Sequence, residues 1–117
     1  MNWNRLMAAI RLQESSGNDA AVGDKGLAVG GMQIHPDVIV DVNNIYGLDF
    51  KPFDRLDFWQ SRVIFVLYVS HYCRYDRIHR LADSCDYALC WHYGPSYTQW
   101  ADPHGYWDAV KQHMDKG

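Results

Sequence analysis

The sequence has no excess of positive charge: 11 Lys and Arg stand against 14 Asp and Glu, a net charge of −3 with histidine neutral. A nucleic-acid partner, which calls for a basic face to neutralise phosphates, is therefore not expected. Long apolar runs are also missing. The longest, Val63 to Val69, has seven residues, far short of the ~20 needed to span a bilayer, so no membrane span is expected. Residues 1–14 carry Arg5 and Arg11 within their apolar pattern and end on Glu14, unlike the unbroken apolar stretch of a secretory signal. Synthesis in the cytoplasm is the expectation, with separate delivery to any substrate outside the membrane. The three cysteines, Cys73, Cys85 and Cys90, make neither a disulfide framework nor a zinc signature and read as reduced thiols in the core. Six histidines, at 35, 71, 79, 92, 104 and 113, show no metal-ligand spacing. No metal and no cofactor is expected. Repeats, low-complexity tracts and linkers are absent, and 117 residues fit one domain spanning 1–117, read as a monomer.

Aromatic residues are abundant, with five Trp, eight Tyr and four Phe. Such rings fill cores, their commoner use, and also line sugar-binding grooves. Apolar periodicity predicts a mainly α fold, a helical bundle around a central buried helix. Trp3, Leu6, Met7 and Ile10 follow the i, i+3, i+4, i+7 spacing of a first helix over about 2–14, with Asn2 or Asn4 as cap. One further step of four reaches Glu14, which continues the apolar stripe. Five of the nine glycines lie between Gly17 and Gly31. They predict an irregular segment in which Leu27 to Val29 and Met32 to Ile34 make a small hairpin or extended loop, with a turn at 23–26. Pro36 starts a second helix that Gly47 stops near Tyr46, striped by Val38, Val42 and Ile45. A third, over about 55–74, is apolar all round in its middle and is the central one. A short helix over 77–82, one over 84–93 between Asp83 or Ser84 and Gly94-Pro95, and a last one starting at Asp102-Pro103 complete the reading.

Glycosidic bond cleavage needs a proton donor for the leaving oxygen, and a carboxylic acid set among apolar groups suits the task. Glu14, at a helix end on the core-facing stripe beside a glycine-rich loop, has that expected setting. On spacing alone a Glu at a helix end more often turns out to water. The surrounding residues add to the case. Glu14-Ser15 is followed by Ala20 or Ala21, Gly26, Gly30, Met32, Gln33, Ile34 and Pro36. This resembles the first signature of the soluble-type lytic transglycosylases of the lysozyme-like superfamily, Glu-Ser before a Gly-Leu-Met-Gln-Ile segment and a Pro. Ala88-Leu89-Cys90-Trp91-His92-Tyr93-Gly94-Pro95 resembles that family's second signature, and more closely the Trp-Asn-Gly-Gly-Pro variant of small phage-type lysozyme domains. The two occur in the family's order.

The resemblance implies an α+β lysozyme-like fold and a peptidoglycan-cleaving glycosidase acting on the MurNAc-GlcNAc β-1,4 bond, with glycan strands as partner. It implies Glu14 as general acid and then base, and Ser15 as support for the carboxylate or a substrate contact. Met32 and Gln33 would line the cleft, with the Gln33 amide on a sugar N-acetyl or hydroxyl group, and Trp91, His92 and Tyr93 would form the opposite wall. Three positions depart from the pattern: Gly31 stands for Leu, His92 for Asn and Tyr93 for a small residue. His92 adds a group that titrates near neutral pH.

Asp24, ten residues after Glu14 in the glycine loop, is the candidate second carboxylate for a lysozyme; as a turn residue it needs no catalytic role. Asp19 and Asp37 are weaker candidates. Without a second acid, the route implied is substrate-assisted and gives a 1,6-anhydro product. Arg74, Arg77 and Arg80 form a basic patch, read as a solvated face with acidic stem peptides as the other possibility. An endolysin of a phage, released by a holin or carried in the virion, or a secreted effector fits an enzyme of this kind. The alternative is a non-catalytic glycan-binding module, which the changes at His92 and Tyr93 motivate.

Overall fold

The computed structural model describes residues 1–116. Among them are six α-helices and one two-stranded sheet, so the chain is mainly α. In order these are α1 (Trp3–Ser15), β1 (Val22–Gly23), β2 (Ala28–Val29), α2 (Pro36–Tyr46), α3 (Phe58–Tyr72), α4 (Tyr75–Ile78), α5 (Ser84–Tyr93) and α6 (Tyr106–Lys116). Three short 3-10 turns, Asp24–Gly26, Pro52–Leu56 and Tyr97–Gln99, lie between them. None of the described helices is long and apolar enough to cross a membrane. The backbone divides into two compact units, a middle unit Arg11–Tyr68 and a terminal unit made of Met1–Ile10 with the chain from Val69 on.

In the middle unit, α1 ends after Ser15 because Ser16 and Gly17 take left-handed φ of 56° and 83°. The hairpin pairs Val22 with Val29 and Gly23 with Ala28, around a turn in which Asp24, Lys25 and Gly26 all have positive φ. A further bridge joins Val29 to Ile34. Of the two apolar pieces expected there, Ala28–Val29 is a strand and Ile34 bridges to it, while Leu27, Met32 and Gln33 lie in turns; the partner strand Val22–Gly23 was not expected. Gly30 is indispensable here: with φ 89°, a Cβ on it would lie 1.7 Å from the Arg55 carbonyl oxygen. Arg55 completes the closure, its Nη1 donating to the carbonyls of Leu27 and Ile34 and its Nε to Pro52. Helix α2 runs from Pro36 to the left-handed Gly47 at φ 66°, but buries Ile39 with Val42 and leaves Val38 and Ile45 half-buried. The start expected near Arg55 falls instead at Phe58, because Pro52–Leu56 forms a separate 3-10 turn and the Asp57 carboxylate accepts from Trp59 N–H. Helix α3 buries one face, Ser61, Ile64, Phe65, Tyr68 and Val69, while Val63 is exposed. Its middle is apolar all round in sequence but not in burial.

In the terminal unit, Asn2 caps α1 by accepting from Arg5 N–H. Helix α5 starts with a reciprocal capping box between Asp83 and Asp86 and stops at Gly94. Buried Asp86 also receives both guanidinium nitrogens of Arg80 and the Tyr97 hydroxyl. Burial raises its pKa, but these hydrogen bonds, with the Asp83 N–H, outweigh burial and hold it below the usual carboxylate value. The short helix expected over 77–82 lies at Tyr75–Ile78, ended by His79 at φ 63°.

Gly30→Ala is expected to cost ~3 kcal/mol or more, since backbone must move aside. Gly26→Ala, at φ 93° but facing open space, is expected to cost only ~1 kcal/mol. Urea unfolding of both variants checks the contrast.

Candidate functional site

Glu14 sits in the last turn of α1, half-buried. The residues around it are fixed by local bonds. Ser15 Oγ donates to the Arg11 carbonyl at 2.9 Å and accepts from Asn18 N–H at 3.1 Å, so it shapes the turn that follows the carboxylate. Arg11, one helical turn earlier, makes a bidentate pair with Asp19, both bonds at 2.9 Å. Its guanidinium carbon also lies 4.7 Å from the Phe58 ring centre. The Asp19 hydrogen bond raises the Arg11 pKa against the pull of desolvation. Asp19 is thus a structural partner of Arg11.

The same pair explains Gly31. A Cβ there would lie 2.4 Å from Asp19 Oδ1 and 3.2 Å from Arg11 Cγ and Nε. The position does not open space, as a missing side chain suggests; the Arg11–Asp19 pair fills it. The pair needs residues at 11, 19 and 31 together, a combination no single spacing announces.

Gln33 has φ 51°, and its Nε2 donates to the Ala21 and Gly30 carbonyls at 3.3 and 3.0 Å. The amide nitrogen therefore holds the hairpin closed, and Oε1 lies over Gly23, where a Cβ would be 2.4 Å away. Met32, like Ile34, has no exposed surface and lies in the core, where the expected cleft wall would need it exposed. Asp24 is exposed on the hairpin turn at φ 48°, with its Oδ2 3.1 Å from His35 Nε2. Asp37 lies in the first turn of α2, where a carboxylate complements the helix dipole.

The second signature lies in the terminal unit. Trp91 is half-buried, His92 exposed and Tyr93 half-buried at the end of α5. Tyr93 donates its hydroxyl to Asp102 Oδ1 at 2.6 Å and accepts from His104 N–H at 2.9 Å. His92 Nε2 and His104 Nδ1 are 2.8 Å apart, and the His92 ring stacks on Tyr106, 4.2 Å between centres. Trp100, exposed, stacks 6.3 Å from Tyr93. Asp102 itself departs from the sequence reading. It takes φ 51° and closes a turn through Gly105 N–H. Its carboxylate then caps α6 from outside, accepting from Tyr106 and Trp107 N–H. The helix therefore starts at Tyr106, three residues beyond the expected Pro103. His104 and Asp102 are the members of this cluster that sequence reasoning missed; their link to 92 and 93 comes from the turn.

The three arginines expected to form a basic patch are individually bound. Arg80 clamps Asp86, Arg77 Nη1 donates to the Tyr72 and Pro95 carbonyls, and Arg74 bonds Asp76 and His71. Among the described residues, no group of three or more His, Cys, Asp or Glu is arranged to hold a metal ion. No protein-family model, no curated protein and no solved structure matches the chain.

The electrostatics of the cluster set a pH dependence. Partial desolvation of the ring stacked on Tyr106, then the nearby His104, lowers the His92 pKa below the ordinary 6.5. Asp102 is held below 3.8, because bonds from Tyr93 and the Trp107 and Tyr106 N–H groups outweigh burial. On acidification the unfolded chain takes up the histidine proton first, so His92 disfavours the fold as pH falls below 6.5. The Asp102 contribution is present above its unfolded value and is lost as pH falls through its lower folded value. The thermal midpoint is expected to drop from about pH 7 to 5, and His92→Asn to flatten that part of the curve while leaving the drop at lower pH. Calorimetry at constant ionic strength checks it.

Proposed function

We infer that the protein is a peptidoglycan-cleaving glycosidase of the lysozyme-like superfamily, acting on the MurNAc-GlcNAc β-1,4 bond with Glu14 as general acid and base. The observation that carries this reading is the ordered pair of sequence signatures. What supports it is their setting: Glu14 lies half-buried near the end of a helix that precedes the glycine-dependent hairpin at Val22–Val29, and the second signature ends α5 at Gly94.

In this reading Glu14 protonates the leaving glycosidic oxygen, and the bond from that oxygen to C1 breaks. Two routes complete the reaction. In hydrolysis, water attacks C1 and gives up a proton; Asp24, oriented by His35 at 3.1 Å, is the candidate second carboxylate. In transglycosylation the substrate's N-acetyl group stabilises C1, Glu14 takes the proton of the sugar's 6-hydroxyl, and that oxygen closes the 1,6-anhydro ring. The resemblance assigns substrate contacts to Ser15 and Gln33 in the middle unit and to Trp91, His92 and Tyr93 in the terminal unit. An endolysin or a secreted effector is the proposed biological setting, with delivery to the wall by a separate agent.

Glu14→Gln is expected to lower muropeptide release from purified sacculi by about 10²–10⁴-fold with unchanged circular dichroism. Equal rates and products from both proteins would exclude Glu14 as the acid. Retention on sacculi by the wild type without any release would support the glycan-binding module instead.

A further inference from the structure

A second site lies within the middle unit, away from both signatures in sequence. Leu48, Asp49, Phe50, Asp54 and Gln60 line an open pocket of about 290 Å³. That is the lower end of the range for small-molecule sites, roughly 300–1,000 Å³, which suits one six-membered ring and not a chain of them.

The backbone of the pocket is held in shape by hydrogen bonds. The left-handed Gly47 ends α2 and turns the chain. Asn43 then bonds both backbone groups of Phe50: its Nδ2 donates to the Phe50 carbonyl at 3.0 Å, and its Oδ1 accepts from Phe50 N–H at 2.8 Å. Lys51 N–H donates to Asp54 Oδ2 at 2.7 Å. Gln60 enters from the first turn of α3. Such preorganisation lowers the entropy cost of binding.

The lining selects the ligand. Leu48 and Phe50 give apolar surface beside two carboxylates and a carboxamide. The Lys51 ammonium already neutralises Asp49 at 2.8 Å, and two carboxylates are too few to enclose a metal ion. Each has one oxygen engaged by Lys51, through Nζ or backbone N–H, and a second that can accept a hydroxyl proton. The Gln60 amide both donates and accepts. Charge-assisted acceptors, an amide and apolar side chains, with one of the two carboxylates paired to Lys51, match a neutral polyol whose C–H face packs on Leu48 and Phe50. We propose that this pocket binds a single neutral pyranose unit, as a glycan site formed by residues other than those assigned around Glu14.

The test is an amide-resolved NMR titration of the full chain with N-acetylglucosamine, glucose and glucosamine, the last cationic at neutral pH. Expected are saturable shifts of the Leu48–Asp54 and Gln60 amides with the neutral sugars. Preference for N-acetylglucosamine over glucose assigns the source to wall-type glycan, and equal response to glycans generally. Asp54→Asn keeps an acceptor for Lys51 N–H but removes the charge. It is expected to weaken binding about tenfold, with a similar loss for Gln60→Ala at its exposed position. The spectra themselves report whether each variant is folded. Silent pocket amides, shifts confined to other segments, unchanged affinity in both folded variants, or tighter binding of glucosamine would overturn the proposal. If sacculi are cleaved while these amides stay silent, only the pocket proposal falls. If they titrate and no muropeptide is released, only the glycosidase reading falls.

Discussion

The bidentate pair between Arg11 and Asp19 is the interaction on which the arrangement around Glu14 depends. It ties the last turns of α1 to the segment after the helix, at 2.9 Å through both guanidinium nitrogens. Its stem lies across Gly31, where a Cβ would push the pair aside, and its guanidinium rests on Phe58 at the start of α3. Planar, bidentate geometry of this kind fixes orientation as well as distance. One arginine thus relates the end of α1, the glycine segment and the start of α3. Glu14 sits a single turn further along the same helix.

The hairpin is held from its other side by backbone contact. Gly30 lies against the Arg55 carbonyl, and the Arg55 guanidinium accounts for the carbonyls of Leu27 and Ile34. Strands of two residues each have almost no stability of their own. Here side chains from Arg55 and Gln33 supply the hydrogen bonds that a longer ladder would supply. The left-handed residues at 24, 25 and 33 are tolerated because these bonds over-determine the loop. In the terminal unit Asp102 has the corresponding part: one carboxylate receives the Tyr93 hydroxyl and two N–H groups of α6.

Where sequence punctuation is local, structure was legible from it. Pro36 and Gly47 bound α2, and Asp83 and Gly94 bound α5, because a missing N–H, a left-handed stop and a capping carboxylate act within a few residues. Glu14 at the end of α1 and a turn at 23–26 followed from the same rules. What escaped depends on contacts across the chain or on a backbone choice. Asp102 looks like a helix cap at its own position, yet a positive φ moves the start of α6 to Tyr106. Arg80 looks like a surface charge until buried Asp86 is found beneath it. Gly31 looks like a lost leucine until Arg11 and Asp19 occupy its place. Met32 sits in a sequence motif yet faces the core. The candidate site divides the same way. The place of Glu14 at the end of α1 was readable from the apolar spacing, while the bonds that hold its surroundings, and the pocket at Leu48–Gln60, were not.

The most direct test of the glycosidase reading is a crystal structure of the Glu14→Gln protein soaked with a peptidoglycan oligosaccharide. Expected is a glycosidic oxygen within about 2.6–3.2 Å of the side chain at position 14. An oligosaccharide bound only elsewhere on the protein, with position 14 facing solvent, would contradict it.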